Sequence, residues 1–146
     1  MHYTVEKKGS DAKCIESICK YVQKKGLVSG IIYCQSKKSC EDVAKKLTKF
    51  LGNGPRAAKA DFYHADVSDQ ERRYRHEAWS QGRIHILCAT VAFGMGIDKP
   101  DVRFVIHFTM PQSITHYYQE SGRAGRDGNQ ADCIMYVRER SERMQK

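Results

Sequence analysis

Residues 30–51, Gly-Ile-Ile-Tyr-Cys-Gln-Ser-Lys-Lys-Ser-Cys-Glu-Asp-Val-Ala-Lys-Lys-Leu-Thr-Lys-Phe-Leu, change period partway along. The opening Gly30–Cys34 run is short, apolar and rich in β-branched residues, the pattern of a buried strand. Beyond it Val43, Leu47 and Phe50 or Leu51 keep helical spacing. Ser36, or Ser39 with Asp42 three residues on, is suited to cap the start of that helix.

The same alternation continues in both directions. Upstream, Ile15, Ile18, Cys19 and Val22 place one apolar face on a helix from Ser10 to Gly26, where the glycine stops it. Downstream, Gly52–Arg56 reads as a loop and Asp61–His64 as a second strand. Ser68-x-x-Glu71 is a capping box for a helix running to about Gln81, ended by Gly82. Further strands are expected at Ile84–Ala89, Arg103–Phe108 and Ala131–Val137, and a further helix from about Ser113 to Glu120. The result is an α/β domain over residues 1–146, a mainly parallel sheet flanked by helices on both faces. Ligands of such sheets sit beyond the carboxyl ends of the strands. Ser36, His64, Thr90 and the loop around Arg123 are therefore expected on one rim. Arg138–Lys146 reads as a charged helix or tail.

A chain of 146 residues is long enough for one core that buries ~70% of the surface exposed by the unfolded form. Its formal charge is +8, from 25 basic and 17 acidic residues, which suits a polyanionic partner, most simply nucleic acid. Six cysteines lie without dense spacing, several inside apolar runs, so buried reduced thiols in the cytosol or nucleus are expected. Neither Cys-x-x-Cys nor His-Glu-x-x-His occurs, so no metal site is expected. The apolar runs fall well short of the ~18 residues of a membrane span.

Two glycine-containing clusters carry the chemistry. In Tyr117-Tyr-Gln-Glu-Ser-Gly-Arg-Ala-Gly-Arg-Asp-Gly128, Arg123 and Arg126 sit three apart among three glycines. Glycines are poor choices inside a helix or strand, and unpaired arginines are costly to bury. Guanidinium forks in such a loop match phosphoryl oxygens. Ala89-Thr-Val-Ala-Phe-Gly-Met-Gly-Ile-Asp-Lys-Pro100 suits a turn where backbone N–H groups approach phosphate and Asp98 accepts from a sugar hydroxyl. Ser36 at a helix start, with Lys37 and Lys38, suits a nucleic-acid phosphate. No Gly-x-x-x-x-Gly-Lys-Ser/Thr loop and no Asp-Glu-x-His or Asp-Glu-x-Asp segment is present, so half of an ATP site is missing.

Taken in order, Gly30–Ser36, Tyr63–Ala65, Ala89–His107 and Tyr117–Gly128 closely resemble motifs IV, V and VI of the second helicase lobe of RecQ-family DNA helicases, over about Tyr3 to Val137. Related RNA helicases usually place His-Arg where Gln119-Glu120 stands here. The resemblance implies a three-layer RecA-like domain, with ATP and Mg2+ bound mainly by a first RecA-like lobe and single-stranded DNA crossing both. It implies ATP-driven unwinding of duplex DNA in the 3′ to 5′ direction, in repair and recombination, in the nucleus of a eukaryote or the cytoplasm of a bacterium. It assigns Arg126 as the finger on the γ-phosphate, Arg123 as its partner and Gln119 as the coupling residue. Asp98 and Gly96 fall near the nucleotide, and Ser36, His64, Thr90 and Lys99 on the DNA side. The first lobe and the zinc-binding and winged-helix segments of many family members are not in this chain, so the lobe alone is expected to be inactive as an ATPase. Two alternatives stay open from the residues: a nucleic-acid adaptor without its own ATPase, and a lobe of an RNA helicase.

Overall fold

The computed structural model describes residues 1–90, 99–109 and 114–137. Six strands, β1 (His2–Lys7), β2 (Ser29–Cys34), β3 (Ala60–Tyr63), β4 (Ile86–Thr90), β5 (Val102–His107) and β6 (Asp132–Val137), form one sheet in the order β1-β6-β5-β2-β4-β3. Every ladder is parallel. The helices among the described residues are α1 (Asp11–Lys25), α2 (Lys37–Leu51), α3 (Asp69–Ser80) and α4 (Ile114–Ser121).

Parallel neighbours need crossover connections, which lay helices on both faces and bury the central strands completely. β2, in the middle, is buried at every position. Its alternate side chains divide the core in two. Ile32 and Cys34, with Cys88, Phe104 and Ile106, meet Ile18 and Val22 of α1 and Val43 and Leu47 of α2. Ile31 and Tyr33, with Leu87, Val105 and Cys133, meet Ala78 and Trp79 of α3 on the opposite face. Trp79 is fully buried and shares its indole N–H between the Gly30 and His85 carbonyls.

The caps expected at Ser36 and Ser68 are present, and Ser10 caps α1 in the same way. The hydroxyls of Ser10, Ser36 and Ser68 accept the backbone N–H of Lys13, Ser39 and Glu71, each cap contributing about 1 kcal/mol. Ser36 is thus the cap of α2, and Ser39 serves as its hydrogen-bond partner. All six cysteines are buried and none is in a disulfide. Burial pushes the Cys88 thiol well up, and the bond that the Cys34 thiol makes to Cys40, followed by burial, does the same for Cys34, so these are packing groups of low nucleophilicity.

β1 is the element that the sequence reading lacks. It sits at the sheet edge with β6 as its neighbour, and five of its six residues are exposed, so it shows no apolar alternation. The β6 ladder holds it, together with Lys8 just beyond it. The Lys8 Nζ reaches over β6 to donate to the Phe108 carbonyl at 2.7 Å and lies 3.6 Å from the Phe108 ring centroid.

Asp132, at the head of β6, ties down the end of α1 through the Tyr21 hydroxyl and the Lys25 ammonium, the latter at 2.8 Å. Burial favours a raised carboxyl, but the bonds from Lys25 and Tyr21 outweigh it and hold Asp132 below its usual value. A carboxyl lowered in the folded state stabilises above its unfolded pKa, and that contribution disappears as pH falls through the folded value. Asp132→Asn is expected to cost about 1–2 kcal/mol in urea unfolding at neutral pH. The gap from wild type should close as pH drops below about 4. A gap that persisted in acid would mean that the carboxylate charge is not the cause.

A candidate nucleotide and nucleic-acid site

In a parallel sheet all strands deliver their carboxyl ends to one edge, and the register aligns them here. Cys34 pairs with Thr90 and Tyr63 with Ala89. Ser36, His64 and Thr90 follow or close these strands and come to the same edge, as expected. Ser36 is exposed at the start of α2, whose first turn holds no acidic residue, so Lys37 and Lys38 add to the positive helix end. Thr90 is half-buried.

His64 is on this rim but turned inward. It is 2% exposed and stacked on Phe62 at 5.3 Å. Its Nδ1 accepts the Asp66 N–H at 3.2 Å, and its Nε2 lies 2.8 Å from Glu41 Oε2. An imidazole accepting at Nδ1 carries its proton at Nε2, so both nitrogens are engaged. His64 therefore fastens the loop after β3 to the first turns of α2. An exposed Lys37–Asp66 pair at 3.0 Å makes a second tie between the same segments.

The arginine loop joins that rim only at its start, where Glu120 meets His107 and Arg123 lies beside Tyr33; Gly125–Asp127 lie at the opposite edge, which corrects the expectation for the loop as a whole. Glu120 is buried, its Oε1 2.8 Å from His107 Nε2 at the carboxyl end of β5. The Gly125 N–H donates to the Val102 carbonyl and the Asp127 N–H to the Pro100 carbonyl, both at 2.9 Å, at the amino end of the same strand. Residues 120–127 thus run the length of β5. The reason is topological: β5 and β6 are parallel, so the chain after α4 must return to the amino edge before β6 begins.

Gly125 turns this segment at φ +67°, where an added Cβ would lie 3.0 Å from the Asn129 carbonyl oxygen. Arg103 braces the turn by donating to Asp127 Oδ1 and to the Gln130 carbonyl, and its bond is the main cause holding the Asp127 carboxyl below its usual value. Arg126 is exposed, with its Nε donating to the Gly122 carbonyl at 3.1 Å. Arg123 is half-buried beside Tyr33, whose phenol burial pushes up to about 12 against the pull of that guanidinium. Gln119 is exposed one residue before Glu120. Two guanidinium groups on a braced glycine turn are suited to a phosphate chain.

Lys99 is placed apart from the other DNA candidates. Its ammonium is buried at the amino edge, 2.5 Å from Ser29 Oγ at the start of β2 and 3.2 Å from Asp101 Oδ1. With His85, Arg103 and Asp127 it lines a polar cavity of about 370 Å3. Gly96 and Asp98 lie outside the described residues. The sequence reading missed the His107–Glu120 pair, on which Tyr33 and Tyr117 pack with ring centroids 5.2 and 5.1 Å from His107. The available signals were a histidine closing an apolar strand and a glutamate following Gln119.

Residues 13–128 match the family described as the helicase conserved C-terminal domain. The chain is 50% identical over 135 residues to a putative ATP-dependent DNA helicase Q1 of Caenorhabditis elegans, covering 92% of this chain and 20% of that protein. It is 49% identical over 137 residues to the ATP-dependent helicase SGS1 of Saccharomyces cerevisiae, covering 93% of this chain and 9% of that one. The chain thus spans about a fifth or less of the length of these relatives. Among solved structures, the second DEAD-box helicase domain of Mss116p bound to an RNA duplex superposes with a TM-score of 0.82 at 17% identity, over 95% of this chain and 55% of that one, a likeness of fold alone. A DEAD box protein from Methanococcus jannaschii gives 0.78 at 27% identity, over 97% of this chain and 36% of that one. With its all-parallel RecA-like sheet and its ordered motifs, the chain belongs to the helicase conserved C-terminal domain family, in its RecQ-like branch.

Proposed function

We propose that the chain is the C-terminal motor lobe of an ATP-dependent 3′ to 5′ DNA helicase of repair and recombination, working against a first RecA-like lobe that holds most of ATP and Mg2+. The observation that carries this reading is the pinning of the Gln119–Arg126 segment. Glu120 is held by His107 at one end of β5, and Gly125 and Asp127 are held by backbone bonds at the other. Arginines on such a segment keep their place while a partner surface approaches. ATP, when bound, supplies the phosphoanhydride whose hydrolysis drives the cycle.

In this proposal Arg126, exposed, offers its guanidinium to the γ-phosphoryl oxygens, and Arg123 supports it from beside Tyr33. Gln119 relays the position of the segment to the nucleotide, and Gly96 and Asp98 belong with the ribose and phosphates. At the carboxyl rim the Ser36 hydroxyl, the N–H groups opening α2 and Thr90 face single-stranded DNA, while His64 holds the rim in shape from behind. In this reading Lys99, partnered by Ser29 and Asp101 at the opposite edge, is not one of the DNA contacts. The place of work is the nucleus if the source is eukaryotic and the cytoplasm if it is bacterial.

The test compares the intact two-lobe protein with this chain alone. The former should hydrolyse ATP on addition of single-stranded DNA. The latter should show negligible turnover and weak, salt-sensitive DNA binding. Turnover by the chain alone that vanished with Arg126→Ala would sink this division of labour. Preference for RNA over DNA in competition would move the reading to an RNA helicase.

A further inference from the structure

The positive charge of this chain is segregated. Residues 11–59 hold eleven Lys and Arg against four Asp and Glu, whereas residues 60–146 hold twelve of each. Residues 11–59 contain α1, β2 and α2, and β2 is buried, so the excess is displayed by the two helices on one sheet face and the loop after them. On the other side several basic groups are met locally, Arg75 by Asp61 and Glu71, Arg103 by Asp127 and Lys99 by Asp101, while the exposed Arg73 and Arg83 have no ion pair among the described residues. On α1 and α2 the pairs are Lys20–Glu16, Lys25–Asp132 and Lys37–Asp66. Among the described residues no carboxylate lies within ion-pair distance of the exposed Lys13, Lys24, Lys38, Lys45, Lys46 or Lys49.

Two depressions give this face relief. One, of about 370 Å3, lies along α1 between Lys13 and Lys20 with Glu16 in its wall, and the other, of about 450 Å3, lies between the end of α2 and β3 and is lined by Lys45, Lys49 and Asn53 with Asp61 on its β3 side. Uncompensated lysines repel one another, and a phosphate backbone relieves this by displacing its own condensed counterions. Single-strand sites add aromatic platforms on which bases stack. Here the exposed ring is Phe50, at the end of α2, and the rest of the display is ammonium groups, which read phosphates without bases.

We infer that the outer face of α1 and α2 is a second nucleic-acid surface, distinct from the carboxyl rim, that tracks the phosphates of a DNA duplex without reading its sequence. α2 joins the two surfaces: it starts at the rim, where Ser36 caps it, and runs back along the sheet, carrying Lys45 and Lys49 away from the single-strand candidates. A duplex seated on this face would continue into the strand held at the rim. The inference does not depend on the role given to Arg126, because it concerns binding without ATP.

The experiment measures fluorescence anisotropy of a labelled blunt duplex and a labelled single strand with the 146-residue chain across a salt series, without nucleotide. Lys13→Glu with Lys45→Glu is compared with Arg73→Glu and Arg83→Glu, exposed residues of the α3 side that change net charge equally. Circular dichroism confirms that both variants are folded. The first pair should weaken duplex binding by roughly tenfold or more at about 50 mM salt and flatten the slope of log K against log salt by about 2, one phosphate contact per lysine. The control pair should leave the slope nearly unchanged. Equal losses in both pairs would reduce the effect to net charge and overturn the inference, as would an unchanged slope in the first. A loss on the single strand as large as on the duplex would overturn the duplex assignment. DNA-stimulated ATP hydrolysis in the intact protein tests the motor reading separately.

Discussion

Arg126→Ala in the intact two-lobe protein is expected to lower DNA-stimulated kcat by roughly 10³-fold while ATP affinity stays within a few-fold. A group that meets charge only as it develops on the transferring phosphoryl acts on the transition state more than on bound ATP, so the loss falls on turnover. The structure makes Arg126 the cleaner of the two arginines to remove. It is exposed, whereas Arg123 is half-buried against Tyr33, so Arg123→Ala should cost stability as well as activity. Arg126→Lys keeps the charge without the planar fork and should recover only a small part of the rate. Unchanged turnover in Arg126→Ala would reassign the segment to a structural or DNA-binding role.

Gly30→Ala should unfold the lobe far more readily than an added methyl suggests. A Cβ at Gly30 would lie 2.1, 2.2 and 2.5 Å from three ring carbons of Phe104. Phe104 is the register partner of Gly30 on β5, fully buried, with Tyr21 packed edge-on at 5.4 Å. The ring has no open space to enter, and the Gly30 carbonyl is also bonded by Trp79, which resists a backbone shift. Overpacking of this kind usually costs about 1–3 kcal/mol, and here the expected cost is at or above the upper end. Against a typical stability of about 5–15 kcal/mol that is a large share. Gly30→Ala with Phe104→Leu should regain part of the loss, since the smaller side chain makes room. A urea midpoint shift worth less than about 1 kcal/mol for the single substitution would show that Phe104 moves aside.

Gly30 also shows where legibility stops. Its place at the head of an apolar run identifies a strand, but nothing in that run names Phe104, which is brought opposite by the ladder. The helices were legible because their signals are local: spacing of apolar residues, serines three positions before the N–H they bind, and glycines at the ends. β1 was not, because an exposed edge strand has no buried face to imprint on its sequence. Ser36 and Thr90 were placed correctly because strand ends share an edge in any parallel sheet. The burial of His64 and Lys99 was not legible, because a polar side chain in a motif reads alike whether it faces solvent or is fully partnered inside.

The sequence by itself determined the α/β class, the caps, the order of the motifs and the family, since these depend on residue types at short spacing. Only the tertiary structure decided that the arginine segment starts at the rim and runs back along β5, that Lys99 is buried at the far edge against Ser29, and that His107 holds Glu120. Each of these follows from contacts between residues distant in the chain, 70 positions apart for Lys99 and Ser29 and 13 for His107 and Glu120. A parallel sheet requires every crossover to return to the amino edge, and that requirement sets which of those distant residues meet.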